Sequence, residues 1–227
     1  MTNTSVNEVS SDEMQNGTLQ YLIKTPQVKP VKSKAIILLH GVGSNEKDLF
    51  SLAQQLPEDF YVIAPRGQFV LGEGRFAWYQ VDFSSDKPVF NKDQEMSSRK
   101  IIAAFIEEIR LKYNIEEIYL GGFSQGGIMS YSVGLTHPTE VKGIIALSGR
   151  LLEEVKPFVV AGKDLQQLKV FVAHGTQDNT LPIHYAREAK DYLKQLQVPL
   201  HYTEYNMGHQ VNATEIADLK QWLNKNF

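Results

Sequence analysis

Five short runs in this chain are almost wholly apolar: Lys34–His40, Phe60–Pro65, Glu117–Phe123, Val141–Gly149 and Leu168–Gly175. A strand with one wet face alternates apolar and polar side chains, whereas an unbroken apolar run marks a strand covered on both faces. Helical patterns lie between and after these runs. Ile101, Ile102, Phe105, Ile106 and Ile109 recur at helical spacing, and further helices are expected at 44–56, 125–137, 184–196 and 214–226. Thr18–Thr25 and Leu200–Asn206 read as two more strands. Strands alternating with helices predict right-handed βαβ units, hence an α/β fold with a mostly parallel central sheet and helices on both faces. A length of 227 residues, with no internal repeat and no linker, fits one domain over residues 18–227. Residues 1–17 are polar and without periodicity, and are expected to be a flexible N-terminal segment. Arg66 to Lys92, rich in glycine, proline, serine and aromatics, reads as a long irregular loop.

In such sheets chemistry gathers beyond the carboxyl ends of the strands. His40-Gly41, Pro65-Arg66-Gly67, Gly122-Phe123-Ser124, Ser148-Gly149, His174-Gly175 and Met207-Gly208-His209 all fall at or just past an expected strand end. One of them, Gly122-Phe123-Ser124-Gln125-Gly126, has the pattern G-x-S-x-G between a strand and a helix. That context places a serine on a tight, strained turn with its hydroxyl above the sheet, and glycine two residues to either side relieves crowding against neighbouring strand and helix. The bland alternative is a serine that only caps a helix.

A serine hydroxyl needs a base to become a nucleophile. Of the six histidines, His209 lies in a loop after the last strand, while His40 and His174 each precede glycine at a strand end, where structural hydrogen bonds are expected. The chain order serine, acid, histidine selects His209 as base and requires an acid between it and Ser124. Asp178 directly follows a buried strand, whereas Asp164, Glu188, Asp191 and Glu204 fall on helix, strand or solvated positions. Together, Ser124, Asp178 and His209 make a candidate catalytic triad.

Several functions are disfavoured. The net charge is −3 with no basic stripe, so nucleic acid is not an expected partner. The chain has no cysteine and no His/Asp/Glu cluster with metal-ligand spacing, so neither a metal nor a cofactor is expected. The N-terminus lacks the basic and apolar regions of a signal peptide, and no apolar run reaches membrane-spanning length; a cytoplasmic protein without stable membrane insertion is the expectation.

The stretches LLHGVGSNEKDL, APRG, WYQVD, GGFSQGGIMS, LSG, HGTQDNTLP and NMGH, in this order from Lys34 onward, resemble the phospholipase/carboxylesterase family of α/β-hydrolases, which includes acyl-protein thioesterases. The resemblance implies Ser124 as nucleophile, Asp178 as acid, His209 as base, and the backbone N–H groups of Val42 and Gln125 as an oxyanion hole. It implies a serine carboxylesterase acting on a small-molecule or lipid-like acyl ester of short to medium chain, as monomer or homodimer. Thioesterase or lysophospholipase-like activity is the alternative, and a non-catalytic binding protein a third. Thioesterases of the family carry Trp-Phe-Asp where this chain has Trp78-Tyr79-Gln80. Leu71, Phe76 and Trp78 of the long loop, with Leu181 beside the acid, are the expected acyl-binding side chains.

Overall fold

A computed structural model describes residues 13–28, 31–82, 84, 89–160 and 162–226. In chain order the elements are β1 (Tyr21–Lys24), β2 (Lys34–Leu39), α1 (Glu46–Phe50), β3 (Phe60–Pro65), β4 (Phe69–Gly72), β5 (Arg75–Ala77), β6 (Val81–Asp82), β7 (Val89–Phe90), α2 (Lys92–Lys112), β8 (Glu117–Phe123), α3 (Gln125–Thr136), β9 (Gly143–Leu147), a 3-10 turn at Glu153–Phe158, α4 (Lys163–Gln167), β10 (Lys169–Gly175), α5 (His184–Gln195), β11 (Leu200–Tyr205) and α6 (Ala213–Asn226).

Seven strands form one sheet in the order β1-β3-β2-β8-β9-β10-β11. β1 runs antiparallel to β3, and the remaining pairs are parallel. From the β2–β8 pair the chain winds outward in both directions, which makes the carboxyl ends of β2 and β8 the switch point where a crevice opens. His40-Gly41-Val42 leaves β2 there, and Ser124 leaves β8.

The inner strands of the sheet, β2, β3, β8, β9 and β10, each feed two cores. Ile37 and Leu39 of β2 face a layer built with Ile102, Phe105 and Ile109 of α2, Met129 of α3 and Leu193 of α5. Ile36 and Leu38 face the opposite layer, with Leu49 of α1 and Ile216, Leu219 and Trp222 of α6. Two helical layers leave the strands no wet face, which is the reason for the unbroken apolar runs.

Two expectations are corrected, and two elements appear that had not been expected. The segment after Arg66 is not irregular: β4 pairs with β5 and β6 with β7, both antiparallel. These ladders are two to four residues long, too short for periodicity to register, and Gly74 supplies the positive φ (66°) of the first hairpin's turn. Phe83, in the second hairpin's connection, lies outside the described residues. The helix expected over 44–56 is regular only for Glu46–Phe50 and continues as turns. Asn45 caps its start, its Oδ1 accepting the Lys47 amide at 3.0 Å, while the Ser51 hydroxyl donates back to the Asp48 carbonyl at 2.6 Å, a local bond that competes with continuing the helix. The 3-10 turn and α4, finally, had no distinct sequence pattern.

Candidate active site

The turn from β8 into α3 is a crowded corner. Ser124 sits at φ 55°, ψ −117°, a region L-residues rarely occupy. Its amide is tied to the Leu147 carbonyl at 2.9 Å and its carbonyl to the Ile128 amide at 3.0 Å. A Cβ on Gly122 would stand 2.5 Å from the Gly126 carbonyl carbon and from the Leu39 oxygen, and one on Gly126 would run into that same Leu39 oxygen. Glycine at both places is thus a matter of space. The serine does not cap the helix, since its side chain makes no capping bond. Its Oγ meets His209 Nε2 at 2.9 Å instead.

His209 and Asp178 are brought to that hydroxyl by two loops laced together. The Thr176 amide donates to the Tyr205 carbonyl at 2.8 Å and the Gln177 amide to the Met207 carbonyl at 3.0 Å. Asp178, its side chain fully buried, accepts the Thr180 and Leu181 amides on Oδ1 at 2.9 and 2.8 Å. Its Oδ2 lies 2.7 Å from His209 Nδ1. A carboxylate already accepting two N–H groups takes a third from Nδ1–H, which leaves the Nε2 lone pair facing the serine hydroxyl. Phe123 packs on the imidazole, ring centroids 4.8 Å apart. The sequence-derived trio is therefore brought together in the relative geometry that proton transfer from serine requires.

The other strand-end histidines have different partners. His40 Nε2 accepts the Gly67 amide at 2.9 Å, so its Nδ1 carries the proton and donates to the Gly41 carbonyl at 2.8 Å. His174 Nε2 lies 2.7 Å from the Leu181 carbonyl and 3.3 Å from Asp178 Oδ2. Burial pushes both imidazoles below the ordinary histidine value, which favours their neutral forms. Arg66 spends its charge on Glu46, with two contacts of 2.8 Å, rather than on the crevice.

Val42 and Gln125 line the same cavity as Ser124, about 630 Å³ in volume. Among the described residues neither amide N–H has a hydrogen-bond acceptor, and Gln125 begins α3, whose dipole points its positive end here. Apolar side chains dominate the walls, including Val81, Phe90, Ile128 and Leu181. A neighbouring cavity of about 680 Å³ shares Val42, Val81 and Phe90 and adds Leu71. Leu181 thus lines the Ser124 cavity and Leu71 the neighbouring one.

Trp78 and Phe76 do not. Trp78 is fully buried, its Nε1 donating to the His40 carbonyl at 3.0 Å. Phe76 bridges by backbone to Ser44, stacks its ring under the Arg66 guanidinium at 4.5 Å and lines neither cavity. An aromatic-rich loop must be anchored before it can present anything, and these two are its anchors.

Sequence reasoning missed the side chain of Gln125. Its Oε1 accepts the Trp78 amide at 2.8 Å and its Nε2 donates to the Tyr79 carbonyl at 2.7 Å. Ser98 Oγ donates to the Trp78 carbonyl and takes a bond from Gln68 Nε2 at 2.7 Å. The residue after the serine therefore presents its own amide to the cavity and clamps the loop facing it. Only its place in the G-x-S-x-G pattern could have hinted at this. Among the described residues no group of three His, Asp or Glu is placed to hold a metal ion, and no helix is long and apolar enough to cross a membrane.

Known proteins resemble this chain in sequence and in fold. A family model described as Phospholipase/Carboxylesterase matches residues 22–227. Acyl-protein thioesterase 1 of Kluyveromyces lactis is 29% identical over 219 residues, covering 88% of this chain and 94% of its own. Lysophospholipase-like protein 1 of Mus musculus is 27% identical over 205 residues, covering 84% and 86%. The crystal structure of the Bacillus cereus carboxylesterase superposes with a TM-score of 0.81 over 93% of this chain and 96% of that one, at 24% identity. This chain belongs to the phospholipase/carboxylesterase family of α/β-hydrolases and is a carboxylic ester hydrolase of the serine class.

Proposed function

We propose that the protein cleaves carboxylic esters of short to medium acyl chains through a covalent acyl-enzyme on Ser124. One observation carries the reading: a hydrogen-bonded run from Asp178 through His209 to Ser124 opens into an apolar-walled cavity. His209 Nε2 takes the Ser124 proton as Oγ bonds the ester carbonyl carbon. Asp178 holds the imidazole in the needed tautomer and stabilises its charged form. The carbonyl oxygen, now an oxyanion, is held by the Val42 and Gln125 amides. His209 hands its proton to the departing alcohol. A water deprotonated by the same imidazole then attacks the acyl carbon, releasing the acid and restoring Ser124.

A second reading, thioester cleavage, is favoured by the name of the Kluyveromyces lactis relative and needs no other machinery. The test is Ser124→Ala, assayed with matched esters and thioesters from acetyl to palmitoyl. The variant is expected to fold normally, lose kcat/KM on the order of 10³-fold or more, and resist the fluorophosphonate that labels the parent. Near-parental turnover in the variant would overturn the nucleophile. Faster parental turnover of thioesters at equal chain length would move the substrate to the second reading.

A further inference from the structure

Among the described residues the Ser124 cavity has one charged side chain on its walls. Arg150, on the segment Ser148-Gly149-Arg150 that leaves β9, lines it together with Ser124, Gln125, Leu181 and Tyr185. Arg150 also faces an adjoining cavity of about 370 Å³, so it stands at the junction of the two.

Among the described residues its charge is not used. Nε is buried and has no hydrogen-bond partner. No carboxylate comes within ion-pair distance of the guanidinium. Glu154 is the acid whose charge it feels, and that carboxylate is engaged by Lys92 at 3.1 Å. Tyr185 lies against the guanidinium, its ring centroid 5.3 Å from Cζ, which braces the group while leaving its N–H edges unoccupied. The side chain is half-buried, with Nε shut away from water and the rest of the fork turned to the two cavities; a wall built only for neutral acyl chains would be better served by an apolar side chain than by a partly desolvated cation without an anion. A planar fork of N–H donors fits the paired oxygens of a carboxylate or phosphate.

We propose that Arg150 binds an anionic group of the substrate, a carboxylate or a phosphate, and makes the enzyme prefer anionic esters to neutral ones of the same size. The anion sits at the end of the apolar cavity while the ester carbonyl sits at Ser124, and it belongs either to the acyl chain or to the alcohol. The proposal rests on the reading of Ser124 as the nucleophile that opens into this cavity.

The test compares kcat/KM on two matched pairs. The acyl pair is para-nitrophenyl pentanoate against the para-nitrophenyl monoester of glutaric acid, which replaces the terminal methyl of the same five-carbon chain by a carboxylate. The alcohol pair is monobutyrylglycerol against butyryl glycerophosphate. In one pair the parent should favour the anionic member. In that pair Arg150→Gln should lower the anionic-to-neutral ratio about 10- to 100-fold, the worth of a charge-assisted hydrogen-bonded contact. Arg150→Lys should recover part of it, since it keeps the charge but not the fork. The pair that responds identifies the side of the ester bearing the charge. An unchanged ratio in both pairs, with both members of each falling together, would make Arg150 a structural part of the wall and overturn the proposal. Parental preference for the neutral member in both pairs would overturn it as well. Ser124→Ala run in parallel separates the two claims: if it kept turnover while the ratio still fell in Arg150→Gln, the nucleophile would be wrong and the anion site right.

Discussion

The floor and the rim of the crevice both depend on glycine, for opposite reasons. On the floor, Gly122 and Gly126 have no room for a methyl group against the Leu39 carbonyl. On the rim, nothing lies within 4 Å of where a Cβ would stand on Gly72 or Gly74, and Gly74 is needed for its φ of 66°. The surroundings differ in the same way. Trp78 and Gln125 on the floor are 0% and 2% exposed and every polar group of their clamp is paired. Val70, Leu71 and Val89 on the rim hairpins are 67%, 37% and 61% exposed. Reacting groups have to be held within a fraction of an ångström, so the floor is over-determined. A rim of short hairpins is where side chains can change without disturbing that geometry.

The contrast predicts a gradient of effects. The largest belongs to Asp178→Asn, which should cut kcat by about 10³- to 10⁴-fold because the amide favours the wrong imidazole tautomer. Asp164→Asn and Asp191→Asn, on exposed positions of α4 and α5, should stay close to parental. A severe loss at either of those, with Asp178→Asn active, would reassign the acid.

Gln125→Ala should come next. It strands the Trp78 amide and the Tyr79 carbonyl in a buried place, at about 1–3 kcal/mol each. Denaturant unfolding should report that loss of stability, and kcat should fall on the order of 10-fold as the loop facing Ser124 loosens. An unaltered unfolding midpoint would mean that the floor does not depend on this clamp.

Glu215 tests the support of His209, in the first turn of α6 that follows the histidine's loop. It is fully buried, its Oε1 has no partner, and burial pushes its carboxyl up to about 7 despite the bond from the Asn212 amide. The folded state therefore holds this proton more tightly than the unfolded chain does. The cost of ionising it is absent below the ordinary carboxyl value, grows as pH rises towards 7, and is constant above that. Glu215→Gln removes the cost, so its stability relative to the parent should increase between pH 5 and pH 8, by at most ~3 kcal/mol. Urea melts at the two pH values measure this, and a difference that does not change with pH would contradict the buried, proton-retaining carboxyl.

The smallest effect is expected on the rim. Leu71→Ala removes apolar surface that is already partly wet, so acetyl ester hydrolysis should be nearly unchanged. Medium-chain esters should lose no more than about the 0.8 kcal/mol per methylene that they bury there. A loss equal at every chain length would place Leu71 among the supports of the floor, and the distinction between the two regions would fail at that residue.

What could be read before folding was what is local or ordered along the chain. Apolar runs without alternation, such as Lys34–His40, can only be strands covered on both faces, and helical patterns between them leave a parallel sheet. The glycines around Ser124 report the crowding of a strand-to-helix corner, and the order serine, aspartate, histidine narrowed six histidines to His209. None of these inferences needs a distance between remote residues. Other features exist only as such distances. An aromatic in a loop reads the same whether it faces a ligand or a core, so burial alone decided that Trp78 is an anchor while Leu71 is on the rim. Ladders as short as β6 and β7 have too few residues for a period to show. The two bonds that make Gln125 a clamp cross 47 and 46 residues. Arg150 in the sequence is one arginine among 23 basic residues. That its guanidinium is braced by Tyr185 without a carboxylate follows only from where β9 and α5 come to rest, because pairing is a property of positions in space and composition records only how many charges there are.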